Sequence, residues 1–137
     1  MPGEVKRAVR VSGRLREELS RELASLRDPR LSGVAVTRVE MTDDLQLARV
    51  YVRASGVAGE GAPVPDDERG HRAALAGLAA AGPRLRRNVA KGVGLRYAPD
   101  LRFYWDESPE AVNRIEELLR EIKAEDADRG DGEGQGG

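Results

Sequence analysis

Between Ala80 and Lys91 the chain reads AAGPRLRRNVAK. Arg84, Arg87 and Lys91 recur at spacings of three and four. On a helix such residues fall in one line, at about 100° per residue, with Leu85 and Val89 on the opposite side. A line of this kind is rich in positive hydrogen-bond donors. Such a line can contact phosphates. Arg96 and Arg102 follow, and only Asp100 opposes them over that stretch. A second basic line, Arg7, Arg10 and Arg14, lies near the start of the chain. Gly82-Pro83 sits directly before the first of these lines. Pro83 has no N–H for the carbonyl of Ala79, and its ring crowds that carbonyl. It also disfavours helical backbone at Gly82. The spacing therefore predicts a helix, a sharp kink and a second helix capped by Gly82. Free N–H groups at such a start favour phosphate.

Residues for other chemistry are few. The chain has no cysteine, which excludes a disulfide scaffold and a thiolate zinc site. His71 is the only histidine, with Asp66, Asp67 and Glu68 before it. Acids in a first helical turn ordinarily serve the helix dipole, so no metal or cofactor is expected there. No serine or threonine has a histidine partner that can be placed, so a nucleophilic triad has no support. A hydrolase or nuclease would need convergent carboxylates or a histidine pair, and no such set is seen. Gly56-Val57-Ala58-Gly59 spells GxxG but follows a strand, which argues against an RNA-clamping loop. Phe103 and Trp105 read as core residues of a strand, whereas Tyr51 and Tyr104 alternate with an apolar face and remain open.

The elements that must carry these residues follow from periodicity. Val5, Val9, Leu15, Leu19, Leu23 and Leu26 recur at helical spacing from Glu4 to about Arg27. GVAVTRVEM (33–41) is β-branched and partly alternating, so a strand is expected. Thr42 to Leu45 makes a turn, with Asp43-Asp44 suited to local backbone bonding. In QLARVYVRA (46–54), Ala48, Val50 and Val52 share one face, and Arg49, Tyr51 and Arg53 the other. The two strands should form a hairpin. A loop rich in Gly and Pro spans 55–65. Asp66 or Asp67 can cap the next helix, whose inner face is Ala74, Leu75, Leu78 and Ala81. Gly92 and Gly94 close the basic helix. Leu101 to Trp105 is a third strand. Ser108-Pro109-Glu110 starts a short last helix marked by Val112, Ile115, Leu119 and Ile122.

With 137 residues, one domain is expected at 1–122, followed by a disordered acidic, Gly-rich tail at 123–137. The net charge is −1, but the tail holds −3 of it and leaves the body at +2. Local potential, not the total, governs attraction of a phosphate backbone. Aromatic residues make up 4%, so Leu, Val and Ala must supply most of the core. There is neither a membrane-length apolar run nor a signal-peptide h-region, so a cytoplasmic protein is expected.

The order helix–strand–strand–helix–kink–helix–strand is that of a type II KH domain, an α+β fold. The motifs resemble one family, ribosome-binding factor A. Arg27-Asp28-Pro29-Arg30-Leu31 is similar to its "DPRL" motif. Val39-Glu40-Met41, Asp44-Leu45, Ala48 and Val50-Tyr51-Val52 resemble its hairpin. Ala80-Ala81-Gly82 matches its Ala-x-Gly kink. Leu95-Arg96-Tyr97, Pro99-Asp100-Leu101, Phe103 and Asp106-Glu107-Ser108 resemble its "LR..PeL.F..DeS". Arg114-Ile115 and Leu118-Leu119 are similar to its last motif. Pro83 departs from the pattern, since the family commonly has a hydrophobic residue there, and the 55–65 loop is unusually long and Gly-rich. The resemblance implies a non-enzymatic, monomeric assembly factor. Its partners would be 16S rRNA on the free 30S subunit, whose late maturation and rRNA 5′-end processing it would assist. A KH-like module for other RNA is the alternative. The RNA-binding residues are then expected to be Arg7, Arg10, Arg14, Gly82, Arg84, Arg87, Lys91 and Arg96.

Overall fold

The computed structural model describes residues 2–55 and 65–134. In chain order it contains α1 (Pro2–Ser25), a 3-10 turn (Pro29–Leu31), β1 (Val34–Met41), β2 (Leu47–Ala54), α2 (Glu68–Val93), β3 (Asp100–Trp105) and α3 (Pro109–Gly134). This is the expected α+β class. Residues 1–106 and 107–137 form two compact units, and the sheet, α1 and α2 all belong to the first. The GxxG segment and most of the Gly-rich loop lie outside the described residues.

The sheet order is β1-β2-β3, so among the described residues β2 is central and β3 is an edge strand with a free edge. β1 and β2 form the expected hairpin, antiparallel, whereas β3 runs parallel to β2 after the α2 crossover. The turn is held by side chains. Thr42 Oγ1 donates to Asp44 Oδ1 at 2.7 Å, and that carboxylate accepts from the Gln46 N–H at 3.1 Å. These bonds hold the Asp44 carboxyl below the usual carboxylate range, the Thr42 hydroxyl contributing most. They also keep Leu45 at φ 61°, a conformation costly for leucine.

The partial alternation of β1 has a physical cause. Pairing with β2 shifts between Val36 and Arg38, leaving Thr37 as an extra residue in a β-bulge. Thr37 is fully buried, and its hydroxyl donates to Asp106 Oδ2 at 2.6 Å. Past the bulge, Val39 takes the inner face and Arg38 the outer one.

The inner face is covered mainly by Leu15, Leu19 and Leu23 of α1 and by Leu78, Leu85, Val89 and Val93 of α2, packed on Val36, Ala48, Val50 and Val52. Burying each large aliphatic side chain is worth about 1.5–3 kcal/mol. Along α1 the inner row begins with buried Ala8, not with Val9, which is 66% exposed. Phe103 and Trp105 pack against the core, as expected. The "DPRL" segment forms the 3-10 turn. Asp28 caps it by accepting from the Arg30 N–H at 2.9 Å and its guanidinium at 2.7 Å. That pairing holds the Asp28 carboxyl below its ordinary value.

Where two helices are expected, one continuous helix is found. A single helix runs from Glu68 to Val93 with Pro83 inside it, capped at its start by Asp67. Its end is capped by Gly94 at φ 78°, and Gly92 lies within the helix. An interior proline costs about 3 kcal/mol. Burial on both sides of it acts against a break. Ala74, Leu78, Leu85 and Val89 are all fully buried, at spacings of four, seven and four. One helix keeps all four on one face, whereas an unconstrained break would turn half of them away. α3 is also longer than the short helix expected, continuing to Gly134. Arg120 to Ala127 is mostly strong helix formers, and the glycines come late.

Two glycines inside α2 separate structural need from absence of need. A Cβ on Gly77 would sit 3.1 Å from Leu31 Cδ2 and 3.3 Å from Arg30 Cβ, so the Asp28–Leu31 turn packs on bare backbone there. Beyond its chain neighbours and its own helix backbone, a Cβ on Gly82 would meet nothing within 4 Å, and Gly82 has no positive φ. Gly82→Ala is therefore expected to raise stability by about 0.5–1 kcal/mol. Gly77→Ala is expected to give no gain. Thermal melts of the two variants check both.

Candidate nucleic-acid interface

Seen down α2, the side chains sort into four directions at about 100° per residue. Leu78, Leu85 and Val89 enter the core. Asn88 and Gly92 meet α1, where Asn88 Nδ2 donates to Glu22 Oε2 at 3.0 Å and Glu18 lies over Gly92. Leu75, Ala79, Gly82 and Arg86 border a groove of about 600 Å³ whose other wall is Leu101 to Tyr104 on the free-edge strand. Arg84, Arg87 and Lys91 point away from the core and are exposed. None of these three makes an ion pair or side-chain hydrogen bond among the described residues.

The basic front expected from sequence is thus present on one helix. Gly82 does not join it. With α2 unbroken, Gly82 is not an N-cap and Pro83 does not start a helix with open N–H groups. Gly82 instead opens the groove wall, about half a turn from the front. The first-helix residues Arg7, Arg10 and Arg14 are exposed and gather beside Val93, Gly94 and Leu95 at the end of α2. Arg7 also borders a cleft of about 640 Å³ shared with Arg96 and Tyr97. The Arg96 guanidinium lies 5.6 Å from the Tyr97 ring centroid, within cation–π range. Residues far apart in sequence therefore meet at one end of α2.

Arg86, which periodicity places on the flank, does structural work. Its Nη2 donates to the Ala98 carbonyl at 2.9 Å and its Nε to that of Pro99 at 3.0 Å, and it pairs with Asp100 at 3.3 Å. It fixes the entry of β3 against α2 and thereby the width of the groove. The signal in sequence was weak, because backbone carbonyls ten or more residues away leave no mark in a pattern.

His71 also has a structural setting. It stacks on Trp105 at 3.9 Å between centroids, and its Nε2 lies 2.8 Å from Asp66 Oδ1. Asp66 further pairs with Arg53 at 3.5 Å. Among the described residues no group of three or more His, Cys, Asp or Glu could hold a metal ion. No helix there is long and apolar enough to cross a membrane.

Within residues 1–106 the described residues give an α+β domain with an exposed basic helix face and a groove beside an edge strand, features suited to a polyanion. Comparison with known proteins makes the class specific. The family model described as ribosome-binding factor A matches residues 7–119. A Sorangium cellulosum protein named ribosome-binding factor A is 58% identical over 123 residues, covering 90% of this chain and 94% of its own. A Brevibacillus brevis protein of the same name is 42% identical over 120 residues, covering 87% and 91%. The crystal structure of ribosome-binding factor A from Thermus thermophilus superposes with a TM-score of 0.57 at 30% identity, over 71% of this chain and 93% of that one. A homology model of the Thermus thermophilus ribosome-binding factor A, fitted into the cryo-EM map of its 30S complex, gives a TM-score of 0.53 at 29% identity, with the same coverage. The chain belongs to the ribosome-binding factor A family.

Arg86→Ala is expected to lower stability by about 1 kcal/mol, because charge-assisted bonds to two carbonyls are lost from a partly exposed site. Arg87→Ala should change stability by less than about 0.5 kcal/mol. Denaturant titration of the two variants distinguishes anchor from free cation.

Proposed function

We propose that this protein binds the 30S ribosomal subunit through 16S rRNA, acts as a monomer in the cytoplasm, and assists late subunit maturation and 5′-end processing of the rRNA without itself being an enzyme. The observation that carries the reading is the row of Arg84, Arg87 and Lys91. It is exposed, and among the described residues unpaired, on a helix whose other sides are committed to the core, to α1 and to the groove. A positive row kept clear of neighbouring acids favours a phosphate backbone. Arg7, Arg10, Arg14 and Arg96 extend it past the end of α2. The 30S assignment rests on family membership and on the Thermus thermophilus relative fitted into a 30S complex.

The α–β–β–α–β order supports a KH-like reading of type II, with Gly82-Pro83 at the position of the Ala-x-Gly kink. Gly82 has room for a methyl group yet carries none. Its role would then be to let the RNA backbone approach the groove closely, a use of glycine that costs helix stability. The acidic tail after Lys123 would act at a distance, screening the basic surface against unrelated RNA in a salt-dependent way.

Changing Arg84, Arg87 and Lys91 together to Glu is expected to abolish co-sedimentation with free 30S subunits while the melting temperature stays near wild type. Single Ala variants should each flatten the slope of log K against log salt by about 0.7–0.9. Wild-type subunit binding by the triple variant would overturn the assignment. Equal binding to unrelated RNA and to subunits would favour a general RNA-binding module.

A further inference from the structure

The face of the sheet turned away from α1 and α2 carries side chains that neither the core nor the α2 front uses. Cross-strand register sets Glu40, Arg49 and Arg102 in one row and Arg38, Tyr51 and Tyr104 in the next. In the second row the Arg38 guanidinium lies 4.0 Å from the Tyr51 ring centroid, and Tyr51 stacks on Tyr104 at 5.4 Å with 28° between the planes. The stack ends at Tyr104, on the edge strand, where the residue is 37% exposed and also lines the groove.

The first row is electrostatically unbalanced. Arg49 and Arg102 are direct register partners, and neither makes an ion pair or side-chain hydrogen bond among the described residues. Like charges opposite one another destabilise a sheet. The acid in that row, Glu40, is engaged by Arg38 at 3.2 Å. Arg86 pairs with Asp100, the acid that begins β3. An anion between Arg49 and Arg102 would relieve the repulsion. Arg102 and Tyr104 are two residues apart on one strand face, about 6.6 Å, a separation that one nucleotide can span between base and phosphate.

We propose that this face is a second RNA-contact surface, on which Tyr104 stacks one unpaired base and Arg49 with Arg102 holds the adjacent phosphate. Arg38 and Tyr51 stand behind Tyr104 as a preformed stack, so little side-chain entropy remains to be lost on binding. Stacking needs a free ring face on the base, which selects single strands over duplex. The inference rests on the rRNA-binding reading and adds to it a separate surface and a strand preference.

The test uses the full chain and a fluorescein-labelled oligo-uridine of about eight nucleotides, followed by anisotropy. Tyr104→Leu is expected to weaken binding roughly tenfold, whereas Tyr104→Phe, which keeps the ring, should stay within about twofold. Arg49→Gln with Arg102→Gln should flatten the salt slope by about 0.7, one single-strand phosphate. Binding to a duplex of equal length should not respond to Tyr104→Leu. Wild-type affinity of Tyr104→Leu for the single strand overturns the inference, as does a wild-type protein that does not bind it. Loss of 30S binding by Tyr104→Leu with unchanged oligo-uridine affinity also overturns it, and assigns the face to a ribosomal protein. The α2 triple Glu variant serves as the reference. If it fails to bind subunits while Tyr104→Leu behaves as wild type in every assay, only the sheet-face inference falls. If neither variant changes subunit binding, the rRNA reading falls with it.

Discussion

The apolar row along α2 is the constraint on which the rest of the first unit depends. Leu78, Leu85 and Val89 have no exposed surface, and they enter the core from both sides of Pro83. Together they bury enough hydrocarbon to outweigh the bond that Pro83 cannot make. Once that row is fixed, every other direction on the helix is fixed with it. Asn88 and Gly92 must meet α1, Arg86 must face the entry of β3, and Arg84, Arg87 and Lys91 must face water. The cationic surface is thus a by-product of where the core lies. It owes its strength to the commitment of neighbouring acids elsewhere, since Glu22 is held by Asn88 and Asp100 by Arg86.

A second decision is taken at Thr37. The bulge lets one strand present Val36 and Val39 inward although they are three residues apart. The extra residue does not waste its polar group, because its hydroxyl meets the carboxylate of Asp106, which is only 2% exposed. Arg53 adds a bond to the Asp106 carbonyl at 2.9 Å. The end of β3 is thereby tied to the middle of β1 across β2. The same shift carries Arg38 to the outer face, above Tyr51. A packing irregularity on one side of the sheet so creates the cation–aromatic stack on the other.

Charge explains how a nearly neutral chain can serve a polyanion. The whole sequence is at −1, and the acids are spread through the chain and concentrated in its last fifteen residues. Several within residues 1–106 are neutralised by specific partners, as Asp28 is by Arg30 and Glu18 by Arg21. Exposed ion pairs of this kind add little to stability. Their consequence here is positional: among the described residues they leave cations without ion-pair partners on α2, at the start of α1 and on the outer face of the sheet. A ligand with regularly spaced negative charge can meet several at once.

The sequence by itself determined the class of the fold, the hairpin with its Asp44 turn, and the inner and outer faces of β2 and β3. It also determined that Arg84, Arg87 and Lys91 share one side of a helix. All of these follow from local periodicity and turn chemistry, which act over a few residues. It misplaced Val9, because a helical repeat alone does not say which of two adjacent apolar rows, Ala8's or Val9's, will be covered. Pro83 misled in the same way. Its local preference is for a break, but long-range burial of Leu85 and Val89 against the sheet overrides that preference. The meeting of Arg7 with Arg96, the anchoring of Arg86 on carbonyls 98 and 99, and the stacking of Arg38, Tyr51 and Tyr104 are products of tertiary structure alone. Each joins side chains brought together only after the strands pair and α2 crosses the sheet. Their energies depend on distances that no spacing in the sequence encodes.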